Sequence, residues 1–291
     1  MFEILCYDVI VILKVTSLKK IIFIPPIITP NMNLINLICS LFAFLALNTA
    51  DFSVNNDRSG TRGNQIIILT YNVRNCKGLD NITDYQRVAD VIKRIDPNIV
   101  ALQELDSATQ RSNGIVVLNE LAKLTNMYPV FGSSIAFQGG KYGIGILSKE
   151  KPRQWRSVPL PGREEKRSLL IVDLKNLTIC CSHFSLNAED RLESARIIND
   201  LFTNAAKPVI LAGDLNATPE SEVIGKLEEK WIMLNDPTAP TIPADNPRRC
   251  IDYIFVLKNP KENLALTETK VVQESVASDH LPLWVRLKIK K

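Results

Sequence analysis

Histidine is scarce in this sequence, because the 291 residues contain only His183 and His280. No pair of cysteines has C-x-x-C spacing, which argues against a zinc ribbon or a thioredoxin-like redox site. No G-x-S-x-G motif occurs, which argues against a serine hydrolase with a nucleophile elbow. A large excess of charge is also lacking, since 35 basic and 31 acidic residues leave a formal charge of +4. That balance indicates neither a nucleic-acid surface nor a membrane surface.

The N-terminal segment differs in composition from the rest of the chain. Residues 1–50 are mostly apolar, and an apolar run from Leu34 to Leu47 is followed by small and polar residues. This pattern is typical of a secretory signal. We therefore predict a signal or targeting segment at residues 1–50, a linker at 51–63, and a secreted or periplasmic (envelope) location. The alternatives are an uncleaved membrane anchor and a cytoplasmic protein whose start, Met1 or Met32, is misassigned.

The rest of the chain, residues 64–291, has the pattern of one domain. It contains no internal repeat of fixed period and no low-complexity linker. Hydrophobic residues make up 46% of the sequence, enough for a sizeable core. Two interpretations stay open for Cys76, Cys180, Cys181 and Cys250. They are either small core residues, or two of them form a disulfide, for instance Cys76 to Cys181 or Cys250, in an exported protein.

Strand and helix patterns alternate at the start of this domain. Gln65 to Val73 and Asn98 to Gln103 are apolar runs that predict buried strands. Thr83 to Gln86 has capping-box spacing and precedes a helical repeat that ends at Asp96, and Gly114 to Asn126 carries a second helical repeat. This alternation is typical of an α/β protein.

The second half of the domain is richer in strand patterns. One helix is predicted at Ala188 to Thr203, and a hairpin is predicted at Lys175-Asn176. The fold class that follows is an α/β or α+β four-layer sandwich, with two mixed β-sheets packed face to face and helices outside. The predicted strands are Tyr142 to Ser148, Leu169 to Leu174, Leu177 to Phe184, Pro208 to Ala212, Ile251 to Leu257, Lys270 to Val272 and Leu283 to Ile289.

Four acidic residues stand at the ends of apolar strands: Glu104, Asp214, Asp252 and Asp279. A charge in that position is expensive to bury without a partner. Mg²⁺ prefers oxygen ligands, and its sites combine one or two carboxylates with the substrate itself. A divalent cation also neutralises an anionic phosphate ester and its leaving oxygen. The pattern therefore indicates a shared cation, Mg²⁺ with Mn²⁺ as a substitute.

Both histidines lie in polar turns beside predicted strands. Ser182 and Ser185 flank His183, and Ser278-Asp279 precedes His280. One isolated histidine in a strand is more often structural than catalytic. Because both histidines of the chain lie in polar, carboxylate-rich turns, we interpret them as catalytic.

Six segments occur in the order seen in the endonuclease/exonuclease/phosphatase superfamily: YNVRNCKG, LQELD, CSHFSL, LAGDLNATPES, RRCIDYIFV and ASDHLPL. The chain from Ile66 to Ile289 resembles this superfamily, which includes pancreatic deoxyribonuclease, exonuclease III-like abasic endonucleases, neutral sphingomyelinases and inositol polyphosphate phosphatases. Each segment alone is weak evidence, whereas six in register are specific. The resemblance implies a Mg²⁺-dependent phosphoric ester hydrolase in which an activated water attacks a phosphodiester in line.

The resemblance also implies a metal site. Asn72 in YNVR and Glu104 in LQELD match the metal-site pair of the superfamily. Asp279 in SDH matches a third contributor that acts through water. These three residues are the metal ligands that we expect.

Catalytic roles follow from the same resemblance. Asp214 in GDLN matches the residue that orients or deprotonates the attacking water, and Asn216 matches the amide that holds the phosphoryl group or that water. His183 resembles a donor to a nonbridging phosphoryl oxygen, and His280 resembles the histidine closest to the scissile phosphate. Asp252 is expected to pair with His280, which would favour the charged imidazole. Either Asp214 or His280 is the general base.

Three further residues are candidates for substrate binding: Arg74, Arg111 and Tyr142. Arg74 matches a phosphate-contacting arginine, and an exposed salt bridge is its alternative. Arg111 could reach the substrate from the loop after Glu104. Tyr142 resembles an aromatic residue that faces the phosphate, with core packing as the alternative. The run from Arg163 to Arg167 is predicted to be a solvated loop of mixed charge.

The substrate class stays open at this point. Tyr253 follows Asp252 where inositol phosphatases carry arginine, no long apolar insert like that of sphingomyelinases follows residue 64, and no basic, aromatic-interleaved stripe indicates a nuclease. The expected partner is a phosphodiester, either nucleic acid or a small or lipid-headgroup diester. We expect a monomer without a protein partner. The alternative function is a non-catalytic phosphate-binding protein that retains the fold.

Overall fold

The computed structural model describes residues 4–7, 10–13, 65–203, 205–258 and 264–289. The chain divides into two units, Met1–Gly60 and Thr61–Lys291. In the first unit, strands β1 (Ile4–Tyr7) and β2 (Ile10–Leu13) form an antiparallel pair. The apolar run from Leu34 to Leu47, which carries the export prediction, lies outside the described residues. Within the described ranges, no helix combines the length and the apolar character that crossing a bilayer requires.

The second unit holds two six-stranded sheets and four α-helices among its described residues. The helices are α1 (Tyr85–Ile95), α2 (Val117–Thr125), α3 (Ala188–Leu201) and α4 (Glu222–Glu228). The strands are β3 (Gln65–Asn72), β4 (Ile99–Ser107), β5 (Tyr128–Phe137), β6 (Gly140–Ser148), β7 (Gln154–Leu160), β8 (Arg167–Asp173), β9 (Thr178–His183), β10 (Val209–Asp214), β11 (Trp231–Met233), β12 (Asp252–Leu257), β13 (Leu264–Val271) and β14 (Leu283–Ile289).

Both sheets mix parallel and antiparallel strands. The first sheet has the order β13-β14-β3-β4-β6-β5, and only its β3–β4 pair is parallel. The second sheet has the order β11-β12-β10-β9-β8-β7, and only its β9–β10 pair is parallel. The carboxyl ends of two parallel neighbours lie at the same end of a sheet. In each sheet, the last residues of two successive strands therefore lie side by side.

Three apolar clusters join these elements into four layers. Ile68 of β3 and Ile210 of β10 belong to the cluster between the two sheets. Leu69, the next residue of β3, faces the opposite side and packs with α1 and α2, because successive strand side chains alternate between faces. Leu211 belongs to a third cluster with α3 and α4. The prediction of two mixed sheets packed face to face and flanked by helices is confirmed.

Helix α1 shows how local sequence sets the boundaries. Its buried residues, Val88, Ala89, Val91 and Ile92, recur at helical period and face the first sheet. The side chain of Asp84 accepts a hydrogen bond from the Arg87 amide at 2.9 Å, so Asp84, not Thr83, caps the helix. The capping box predicted from Thr83 is therefore wrong by one residue.

The four cysteines Cys76, Cys180, Cys181 and Cys250 are buried and free. Burial raises the pKa of the Cys181 thiol to about 12, so the thiol stays protonated at neutral pH. The interpretation as core residues is confirmed, and the disulfide alternative is wrong.

Candidate active site

The predicted site residues lie where the two sheets meet at their strand ends. Asn72 ends β3, His183 ends β9, and Asp214 ends β10. Asp252 begins β12, which runs antiparallel to β10, and it lies directly opposite Asp214. His183 lies opposite Asp214 on the other side, in the parallel β9–β10 pair. Three neighbouring strands of the second sheet therefore present His183, Asp214 and Asp252 side by side.

The amide of Asn72 connects the two sheets. Its Nδ2 donates to Glu104 Oε1 at 3.0 Å and to Asp214 Oδ2 at 3.1 Å. Its Oδ1 accepts from the Arg74 backbone amide at 3.1 Å. The Ser278 hydroxyl donates to the Asn72 carbonyl at 2.7 Å, which brings the loop before β14 to the same place. Asn72 thus fixes the position of a carboxylate from each sheet.

A β-bulge places Glu104 at the site. The pairing of β4 with β6 shifts register between Leu102 and Leu105, and Glu104 has a φ of 60°. A bulge leaves a residue out of the ladder and can redirect its side chain. Burial raises the pKa of Glu104, the hydrogen bond from Asn72 opposes this, and the negative charges of Asp279 and Asp214 raise the pKa further.

Asp214 lies between the two histidines. Its Oδ2 is 3.4 Å from His183 Nε2 and 3.6 Å from His280 Nε2. Its Oδ1 accepts from the Asn216 backbone amide at 2.9 Å, while Asn216 Nδ2 donates to the Phe184 carbonyl at 3.0 Å. Both carboxylate oxygens are therefore held, and one of them faces two imidazole rings.

The pKa values of the two histidines are shifted in opposite directions. Burial lowers the pKa of His183 to about 4, and the charge of Asp214 offsets this only in part. Burial also acts to lower the pKa of His280, but the charges of Asp252 and Asp214 outweigh it and raise the pKa to about 10. His280 Nδ1 lies 2.9 Å from Asp252 Oδ2, the pairing that we expected from the sequence. At neutral pH, His183 is neutral and His280 is charged.

Two sets of groups are candidates for holding a cation. Asp214, Asp252 and His280 place one ligand atom each within 4.8 Å of one another. This set includes an imidazole that is already hydrogen-bonded to Asp252. Asn72, Glu104 and Asp279 carry oxygen atoms that could serve as ligands, and burial, together with the negative charges of Asp279 and Asp214, raises the pKa of Glu104. Because hard divalent cations prefer oxygen and balance crowded carboxylates, the second set fits such an ion better.

The structure places the three substrate-binding candidates around Glu104 and Asp279. Arg74 Nε lies 3.8 Å from Asp279 Oδ2. Arg111 forms two hydrogen bonds with the buried Asp106 carboxylate, at 2.7 and 2.9 Å. The Arg111 guanidinium also lies over the Tyr142 ring, 5.4 Å from its centroid, and over Phe137. Arg111 and Tyr142 thus form one stacked group. The hydrogen bonds to Asp106 raise the pKa of Arg111, burial raises the pKa of Tyr142, and the charge of Glu104 adds to both shifts.

The run from Arg163 to Lys166 is a mostly exposed loop before β8, and its charges have specific partners. Glu164 accepts hydrogen bonds from the Ser185 hydroxyl and the Leu186 amide, both at 2.8 Å. The Arg163 amide donates to Asp190 Oδ2 at 2.8 Å, and the Arg167 side chain is 7% exposed. These charges pair with groups that follow His183, and nothing in the local sequence indicated such distant partners. The prediction of a solvated loop of mixed charge is confirmed for Arg163 to Lys166, whereas Arg167 is buried at the start of β8.

The fold and these strand-end carboxylates define a class, the two-sheet phosphoester hydrolases. The chain belongs to the Endonuclease/Exonuclease/phosphatase family, whose family model matches residues 69–280. This family comprises divalent-metal-dependent nucleases and phosphatases, so the chain is a phosphoesterase at this coarse level. No curated protein sequence matches the chain.

Solved structures share the fold at low sequence identity. An endonuclease/exonuclease/phosphatase from Beutenbergia cavernae DSM 12333 is 24% identical, with a TM-score of 0.67 over 78% of this chain and 72% of that one. Humanized D. rerio TDP2 is 20% identical, with a TM-score of 0.64 over 77% and 99%. The mannosyl-6-phosphatase Bt3783 of Bacteroides thetaiotaomicron is 15% identical, with a TM-score of 0.60 over 76% and 99%. Each likeness supports the fold alone.

Proposed function

We propose that the protein is a Mg²⁺-dependent phosphodiesterase that hydrolyses its substrate by in-line attack of a water molecule. The observation that carries the proposal is the convergence on Asp214, whose Oδ2 is within 3.6 Å of Asn72, His183 and His280 side-chain nitrogens. A carboxylate held in this way can orient a water and accept its proton. Among the described residues, no lysine or cysteine takes part in this group as an alternative nucleophile.

The side chains have distinct roles in this proposal. Asp214 orients the attacking water and receives its proton. Charged His280, held by Asp252, stabilises negative charge on the phosphoryl oxygens, and neutral His183 donates an N–H to the same group. When bound, Mg²⁺ would be held by Asn72, Glu104 and Asp279 and would supply Lewis acidity toward a phosphoryl oxygen. Asn216 maintains the turn that fixes Asp214.

The substrate in this proposal is a diester of nucleic acid or of a small or lipid headgroup. One structural relative is D. rerio TDP2 complexed with single strand DNA product, and another is named a mannosyl-6-phosphatase. Tyr253 is fully buried, and its hydroxyl lies 2.8 Å from the Ala217 carbonyl and 2.9 Å from the Cys250 carbonyl. Because it is fully buried, Tyr253 belongs to the core next to Asp252 and has no surface for substrate contact. We further propose that the protein is exported and acts as a monomer.

The direct test is a substrate panel with purified protein. Bis-p-nitrophenyl phosphate, plasmid DNA, RNA and sphingomyelin are each incubated with Mg²⁺, with Mn²⁺ or with chelator. We expect chelator-sensitive hydrolysis of at least one diester. If the folded protein hydrolyses none of these substrates, the result favours the alternative of a non-catalytic phosphate-binding protein.

Three substitutions test the catalytic roles. We expect Asp214→Ala, His183→Ala and His280→Ala each to lower kcat by at least ~10²-fold, because each removes a proton-transfer or charge-stabilising group. Circular dichroism confirms that each variant is folded before kcat is compared. Turnover within about threefold of the unchanged protein, a loss far smaller than one catalytic group supplies, would refute the role of that residue.

A further inference from the structure

A short segment outside the six motifs contacts both halves of the Asp252–His280 pair. We call Thr241–Ala244 the strap. On one side, the Leu281 amide donates to the Thr241 carbonyl at 2.7 Å, and the Ala244 amide donates to the Asp279 carbonyl at 2.8 Å. The strap therefore holds the residue before His280 and the residue after it.

The other contacts of the strap reach the residues around Asp252. Thr241 Oγ1 accepts from the Ile251 amide at 3.2 Å and from the Asp252 amide at 3.4 Å. The Thr241 amide donates to the Arg249 carbonyl at 2.8 Å, and the Arg249 amide donates to the Ile242 carbonyl at 3.0 Å. One residue, Thr241, thus fixes the backbone of Asp252 with its hydroxyl and the backbone beside His280 with its carbonyl.

The position of Thr241 is unusual for a loop residue. Its side chain is fully buried, although it belongs to no helix or named strand. A buried hydroxyl has few ways to satisfy its hydrogen bonds, and here it serves as the acceptor for two amides at the start of β12. Asp252 begins β12 of the second sheet, and His280 lies in the loop before β14 of the first sheet, so their 2.9 Å contact depends on what holds the two segments together.

We propose that Thr241 is a positioning residue that sets the contact between Asp252 and His280. The inference rests on the proposed function and deepens it, because it assigns to Thr241 the positioning of the His280 imidazole at the reaction centre. A misplacement of about 1 Å in such a group can lower a rate by about 10²-fold, while a purely structural threonine affects only folding. Measurement of kcat on folded protein therefore distinguishes a positioning role of Thr241 from a purely structural one.

The test compares three threonine variants. Thr241→Val keeps the shape of the side chain and removes the oxygen, whereas Thr241→Ser keeps the oxygen. Thr178→Val is the matched control, since Thr178 is also buried and its hydroxyl donates to Asp173 Oδ1 at 2.8 Å. Thr178 begins β9, and His183 ends that strand, so the control lies away from the site. Melting temperatures are recorded for all variants.

The expected result is a loss of turnover specific to the oxygen of Thr241. With bis-p-nitrophenyl phosphate and Mg²⁺, Thr241→Val lowers kcat by about tenfold with KM within about twofold. Thr241→Ser restores most of kcat, and Thr178→Val retains it. Equal kcat in Thr241→Val and Thr178→Val, or no recovery with serine, overturns the proposal. If the valine variant does not fold, Thr241→Ala provides the same comparison.

A second readout does not depend on activity. Because the chain has two histidines, the imidazole NMR signals can be assigned with one His183→Gln variant. In metal-free protein, Thr241→Val is expected to shift or broaden the His280 Nδ1–H signal, and Thr178→Val is not. An unchanged His280 signal overturns the positioning role. A shifted signal in a protein that hydrolyses no diester would leave Thr241 as a positioning residue and refute the proposed function.

Discussion

The Asn72 side chain contacts a carboxylate from each sheet, and so it determines how closely their negative charges approach. Glu104 and Asp214 share the Nδ2 of this one amide. Burial raises the pKa of Glu104, and the negative charges of Asp279 and Asp214 raise it further. Crowded, buried carboxylates destabilise the folded protein until a cation neutralises them. A raised carboxyl pKa of this kind is therefore typical of a binding site, where stability is given up for function.

The substitution Glu104→Gln tests whether the Glu104 carboxylate serves to bind metal. Glutamine keeps an oxygen for Asn72 but removes a buried charge, so we expect metal-free protein to melt about 2–4 °C higher, corresponding to about 1 kcal/mol. The same variant is expected to lose the rise in melting temperature that Mg²⁺ gives the unchanged protein, because bound metal stabilises only the folded state. Thermal melts with chelator and with Mg²⁺ measure both effects. A variant that melts lower without metal and still responds to Mg²⁺ would contradict this role for Glu104.

A second prediction concerns the charged state of His280. Its pKa is ordinarily about 6.5 in an unfolded chain. Burial acts to lower this pKa in the folded protein, but Asp252 and Asp214 raise it to about 10. Between these values the folded protein keeps a proton that the unfolded chain has released. The contribution of His280 to stability is therefore complete below pH ~6.5 and is lost as the pH rises toward 10.

Asp252→Asn provides the comparison for this pH dependence, because it removes the strongest of the charges that raise the pKa of His280. We expect the free energy of unfolding to fall less steeply in this variant than in the unchanged protein between about pH 6.5 and about pH 9.5. Urea unfolding of metal-free protein at several pH values in this range measures the two slopes. Parallel slopes would show that Asp252 does not control the protonation of His280.

At the scale of elements, the close approach of β9 and β10 places strict limits on the residue before Asp214. A Cβ on Gly213 would lie 2.0 Å from the Ser182 carbonyl oxygen, which belongs to the neighbouring parallel strand. Only glycine fits without moving one of the two strands. Since those strands end in His183 and Asp214, any such movement also displaces the site.

We therefore predict opposite effects for two glycine substitutions. Gly213→Ala is expected to lower the free energy of unfolding by about 1–3 kcal/mol through overpacking and to reduce kcat. Gly225→Ala, in α4, meets nothing within 4 Å of the added Cβ and is expected to raise stability by about 0.5–1 kcal/mol, since alanine favours a helix. Chemical denaturation of both variants tests the pair. Gly213→Ala as stable as Gly225→Ala would contradict the close strand approach.

Most of the strands that the sequence predicted are buried; the exception is the edge strand β13, of which only the end was predicted, at Lys270 to Val272. Leu283 to Ile289 coincides with β14, and Leu177 to Phe184 nearly coincides with β9. The missed strands, β5, β7 and β11, are edge strands of their sheets. Most of β7 is exposed, so its residues lack the apolar alternation by which strands are recognised. Short helix α4 was also missed, because seven residues carry too little periodic signal.

At the scale of the whole molecule, both sheets contribute to one site because each has one parallel pair and both pairs end at the same junction. Six motifs far apart in sequence supply the residues that meet there, and the resemblance carried by those motifs was sufficient to name them. Thr241 and Glu164 could not be named in this way. Their importance comes from hydrogen bonds to distant backbone and hydroxyl groups, which composition and spacing do not encode.

The proposed arrangement is one hard cation held beside Asp214 by oxygen ligands from the first sheet. Anomalous diffraction from crystals grown with Mn²⁺ tests it most directly. We expect one anomalous peak at about 2–2.5 Å from a Glu104 carboxylate oxygen, with Asn72 and Asp279 as neighbours. A peak bonded instead to Asp214, Asp252 and His280, or no peak at this junction, would contradict it.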